Sequence, residues 1–80
     1  MEDDFDIERS PLCQVLTSEN KSVYVDIYRG DDHGWLLEVV DEFGNSTVWD
    51  KEFSTDEAAL EEVKATVQDE GIDVLIGPEP

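Results

Sequence analysis

The stretch STDEAALEEVKATVQDEG, residues 54–71, decides the fold, because its start, its buried face and its end can all be read. Ser54 and Glu57 have the S-x-x-E spacing of a capping box, in which the serine oxygen accepts an orphan first-turn amide and the glutamate reaches back. Asp56 and Glu57 add negative charge at the positive end of the helix dipole. Ala59, Leu60, Val63 and Val67 then follow the spacing of one buried stripe, with Glu57, Glu61, Glu62, Lys64 and Asp69 around the solvated back. Gly71 is expected to stop the helix as a left-handed residue, with Ile72 set to touch Val67. A lone helix with so narrow a stripe is not stable in water, so it needs a sheet to lie on.

The remaining segments supply that sheet. Leu12–Thr17 reads as a first strand, and the polar cluster Ser18-Glu19-Asn20-Lys21 as a turn. In Ser22–Arg29, Val23, Val25 and Ile27 alternate with Tyr24, Asp26 and Tyr28, the period of a strand with two unlike faces. The loop Gly30–Gly34 reverses the chain into Trp35–Asp41, the most apolar strand. A three-residue loop Phe43-Gly44-Asn45 leads into a strand over Thr47–Phe53. That loop sets Val39 against Trp49, Trp35 against Phe53 and Val40 against Val48, which gathers the large apolar side chains on one face; a one-residue slip scatters them. Ile72–Ile76 reads as a short last strand, closed by Gly77-Pro78.

The expected fold is therefore α+β: a small antiparallel sheet in the order β-β-β-β-α-β, with one amphipathic helix packed on one face. Residues 1–9 carry five acids and few large side chains and are expected to form a flexible acidic tail. Ser10-Pro11 marks the boundary of a single domain over residues 10–80.

Charge restricts the partners. The 80 residues hold 22 acids against 5 bases, a formal net charge of −17, so direct binding to nucleic-acid phosphates or to an anionic membrane is not expected. A single cysteine, Cys13, allows neither an internal disulfide nor a multi-cysteine metal site. No apolar run reaches membrane-spanning length, and the amino terminus is acidic where a signal peptide is basic, so the cytoplasm is the expected location.

The chemistry-bearing constellations are sparse. Asp31, Asp32 and His33 are adjacent in a glycine-bracketed loop, and adjacent residues rarely converge on one ion. Cys13 and His33 lie in no nucleophile–base signature. No catalytic residue, metal site or cofactor is assigned, and an enzyme is not expected.

The informative surface is the sheet face opposite the helix. Strand alternation places Tyr24, Tyr28, Leu36, Val40 and Val48 there, among Asp26, Glu38, Asp50 and Glu52. Tyrosine is favoured at interfaces because it joins apolar area to a polar tip. One helix covers one face, so this set is expected to contact a protein partner or a second copy of the chain, unless residues 10–21 or the last strand fold over it as a minor core. The expected role is a small non-enzymatic protein-interaction module. The alternative is a nucleic-acid mimic that occupies a basic DNA-binding partner, its acid rows formed by Glu57, Glu61, Glu62 and Asp69 with Asp50, Glu52 and Glu38.

Overall fold

A computed structural model describes residues 7–30 and 34–78. Five antiparallel strands, β1 (Glu8–Arg9), β2 (Gln14–Ser18), β3 (Lys21–Arg29), β4 (Leu36–Asp41) and β5 (Ser46–Val48), form one sheet. Helix α1 (Asp56–Glu70) packs on it and runs into a 3-10 turn over Ile72–Leu75. The chain is thus a small α+β domain with an antiparallel sheet and one helix on one face.

β3 is the centre of the sheet. Its nine residues pair with β4 along one edge and with both β1 and β2 along the other. β2 joins it through a two-residue turn in which Glu19 and Asn20 both have positive φ, 55° and 67°, the geometry that matches strand twist in a tight hairpin. β1 continues the same edge, with Arg9 opposite Tyr28. Between them the chain bulges. Ser10 N–H donates to the Ile27 carbonyl at 2.9 Å, while Gln14 already opposes Val25, so four steps on this edge match two on β3. In the gap the Ile27 N–H donates to Cys13 Sγ at 3.2 Å, a sulfur standing in for a ladder carbonyl.

These contacts correct the expected boundary at residue 10. Glu8 and Arg9 belong to the sheet, and Ser10 is buried, its hydroxyl donating to Asp56 Oδ2 at 2.7 Å. Residues 1–6 of the expected tail lie outside the described residues.

The β4–β5 connection is a three-residue loop, but one position earlier than expected. Asp41 N–H donates to the Asn45 carbonyl at 2.9 Å, leaving Glu42, Phe43 and Gly44 as the loop, and Gly44 supplies the required positive φ of 87°. Val39 therefore opposes Thr47, and Val40 opposes Ser46, in place of Trp49 and Val48. Moving the loop by one residue moves the pairing by two, so every side chain keeps its expected face. Trp49 N–H donates to the Leu37 carbonyl, yet Phe53 bridges Trp35 as expected. Residues 50–52 bulge out to absorb the difference, which is why β5 ends at Val48 and does not continue to Phe53.

The core lies between the sheet and the helix. Val23, Val25, Ile27, Leu37 and Val39 from the strands meet Ala59, Leu60 and Val63 from the helix, with Trp35, Phe53, Ile72 and Leu75 closing the ends. Full burial of Ile27, Leu37 and Ile72 contributes about 1.5–3 kcal/mol each. The helix cap is Thr55, not Ser54: Thr55 Oγ1 accepts from Ala58 N–H at 3.0 Å, so no capping box forms with Glu57. Gly71 has φ 90° and ψ 154°. That is positive φ, as expected, but outside the left-handed helical region and open essentially to glycine alone.

Ile72–Ile76 is not a strand. A 3-10 turn repeats every three residues, which places Ile72 and Leu75 together in the core and leaves Val74 half-exposed at 50%.

Candidate functional site

Period-two alternation on β3 turns Tyr24, Asp26 and Tyr28 away from the core, and the pairing with β4 sets Val40, Glu38 and Leu36 directly beside them. β2 adds Val15 beside Tyr24, and β5 adds Val48 beside Glu38. The five expected residues Tyr24, Tyr28, Leu36, Val40 and Val48 thus share the sheet face opposite α1. Tyr24 is 41% and Val48 55% exposed, while Tyr28, Leu36 and Val40 are half-buried.

Neither segment expected to cover this face does so. β2 extends the sheet edgewise, and the 3-10 turn lies with the helix, its Ile72 and Leu75 in the main core. Among the other described residues, Arg9 and Cys13 reach this face with their side chains, at Asp26 and Tyr28.

The face has an internal order that the sequence only partly discloses. Tyr24 and Val40 form one apolar row across β3 and β4, and Tyr28 and Leu36 another; between them Asp26 and Glu38 stand directly opposed. Two carboxylates in that position repel. Arg9 relieves one of them: its Nη1 lies 2.5 Å from Asp26 Oδ1, and its guanidinium stands 5.9 Å from the Tyr28 ring centre. Asp26 also receives the Cys13 thiol at 3.5 Å. Glu38 accepts only a long bond, 3.4 Å, from the Tyr28 hydroxyl among the described residues. Burial first, and then the Glu38 carboxylate, push the Tyr28 phenol up, and burial likewise raises that of Tyr24.

Two members of this surface escape the sequence reading. Arg9 falls within the presumed tail. Val15 was legible in principle, because a two-residue turn at Glu19-Asn20 fixes it opposite Tyr24. The acids expected to form rows for mimicry are divided. Glu57 and Glu61 are exposed on the outer side of the helix, and Glu62 accepts from the Trp49 indole N–H at 3.3 Å. Glu38 lies on the opposite side of the molecule. Asp50 and Glu52 sit in the bulge after β5, where Glu52 accepts the Gly34 N–H at 3.0 Å.

Away from this face, a concavity of about 390 Å³ lies between Lys21, Phe43, Ile76 and Pro78. Its walls are mainly apolar, and its Lys21 ammonium is bonded to Asp73 at 2.7 Å. Asp31, Asp32 and His33 lie outside the described residues. Among the described residues no group of three or more His, Cys, Asp or Glu side chains converges as a metal site, and no helix is long and apolar enough to cross a membrane. No family model, curated protein or solved structure matches the chain.

Proposed function

We propose that this chain is a non-enzymatic, cytoplasmic protein-interaction module whose docking surface is the open face of its sheet. The observation that carries the reading is the pairing of a fully packed face with one that no described segment covers, and that still presents two tyrosines and three aliphatic side chains. Such a mixture suits a protein interface, where tyrosine is enriched because it joins apolar area to a polar tip. A heterologous partner is favoured over a second copy, because a copy carrying −17 would bring the Asp26 and Glu38 pair against its own image. Mimicry of nucleic acid has less support, since its acids are split between two sides of the molecule.

The test is affinity capture from the native cell at low and high salt, with the wild-type chain and a Tyr28→Ala, Val40→Asp double variant as baits. A partner of this face is retained at high salt and lost from the folded double variant. A partner held equally by both baits refutes the reading, and one that salt releases equally from both favours mimicry.

A further inference from the structure

The open face is not uniformly apolar; it is built around one carboxylate. Along β4, Glu38 is flanked by Leu36 and Val40. Across the ladders it faces Asp26 on β3 and Val48 on β5, and Tyr24 and Tyr28 stand at its diagonals. All five residues of the docking surface therefore surround Glu38, which is itself half-buried. Direct cross-strand neighbours have Cβ atoms about 5 Å apart and diagonal ones about 7–8 Å apart, within reach of a single inserted side chain.

The chain already shows how such a carboxylate is satisfied. Arg9 reaches Asp26, with its guanidinium near the Tyr28 ring. Asp26 is thereby compensated, whereas the carboxylate directly opposite it receives only the 3.4 Å phenolic contact among the described residues. A planar guanidinium suits the second position for the same reasons as the first: it bonds a carboxylate through several N–H groups and stacks on aromatic faces. Partial burial excludes water from the pair and so strengthens it relative to an exposed one.

We propose that Glu38 is the receptor for an arginine side chain of the protein partner, inserted between the Tyr24–Val40 and Tyr28–Leu36 rows. This rests on the open face being the docking surface and adds the chemistry of what docks: an arginine flanked by apolar residues. It also disfavours self-association through this face, since a second copy brings acids to the place where a cation is required.

A phage-displayed library of random dodecapeptides, selected on the full chain, tests this without knowledge of the natural partner. The selected peptides are synthesised and titrated against wild type, Val40→Asp and Glu38→Gln. The expected consensus is an arginine between aliphatic or aromatic residues. Its affinity should fall at least about tenfold on Glu38→Gln, and by a similar factor when citrulline replaces the arginine. The citrulline peptide leaves the protein untouched, so the result does not depend on how the Glu38 variant folds. Peptides that lose binding on Val40→Asp but contain no arginine, or tolerate citrulline, overturn the inference and leave the docking surface standing. Peptides that bind Val40→Asp as tightly as wild type, or a selection that enriches nothing, overturn both.

Discussion

Val39 and Val40 are adjacent on β4 and face opposite sides of the sheet, so the same substitution at each measures what each face is. Val39 has no exposure. Replacing it by aspartate forfeits about 2 kcal/mol of apolar transfer, and an unpartnered carboxyl in that core costs about 2–7 kcal/mol more. The combined loss, about 4–9 kcal/mol, is comparable to the whole stability of an 80-residue domain, about 4–12 kcal/mol. Val39→Asp should therefore leave no cooperative unfolding transition. Val40 is half-buried and lies on the open face, where the new carboxylate remains solvated. Its loss should be about 1–2 kcal/mol, from partial apolar exposure and repulsion with neighbouring Glu38. At about 4–8 °C per kcal/mol, that lowers the thermal midpoint by roughly 4–16 °C while preserving the fold. Circular dichroism melts and urea unfolding of both variants give the comparison. If Val40→Asp unfolds as completely as Val39→Asp, the open face is a second core and the docking surface does not exist.

Two further outcomes test the local assignments. Thr55→Ala should cost about 1 kcal/mol through the lost cap, whereas Ser54→Ala should stay within about 0.5 kcal/mol, both read from urea midpoints. Asp41 is opposed by burial, but the N–H groups of Gly77, Asn45 and Phe43 and the Asn45 amide outweigh that and hold its carboxyl below the ordinary aspartate value of 3.8. A lowered folded value means its contribution is complete above that pH and is lost as pH falls through the folded value. The stability gap between wild type and Asp41→Asn should thus be widest near neutrality and narrow on acidification below pH 3.8.

The faces of this molecule were legible before its boundaries were. Val23, Val25 and Ile27 had to share a side because strand geometry alternates regardless of what the strand pairs with. The β4–β5 faces survived an error in loop position because the error was one residue and its effect on pairing an even number. Ser54 and Thr55 are both competent caps, and the stripe of Ala59, Leu60 and Val63 does not fix which residue precedes the first turn. The segment Ile72–Ile76 misled because its apolar residues satisfy a two-residue period at 72, 74 and 76 and a three-residue period at 72 and 75. Only contact with the helix selects the second. Arg9 was hidden for a different reason: a two-residue strand has no period, and its partner is 17 positions away at Asp26. The five-residue surface was visible as a set. Its centre at Glu38 required the pairing of three strands at once.

That β3 is bordered by its sequence neighbours β2 and β4, with β1 added at its far end, divides the fold into local and distant contacts. The β2–β3, β3–β4 and β4–β5 hairpins each close over a short stretch of chain and carry little loop-closure entropy. They can assemble as a meander before anything distant arrives. Docking of α1 joins it to strands earlier in the chain, the Ser10–Asp56 bond spans 46 residues, and β1 has a ladder to join only once β3 exists. The Glu38 ring is formed wholly by β3, β4 and β5, the strands joined by these short connections. The surface assigned to a partner thus rests on local pairing, whereas the core behind it rests on contacts between distant parts of the chain.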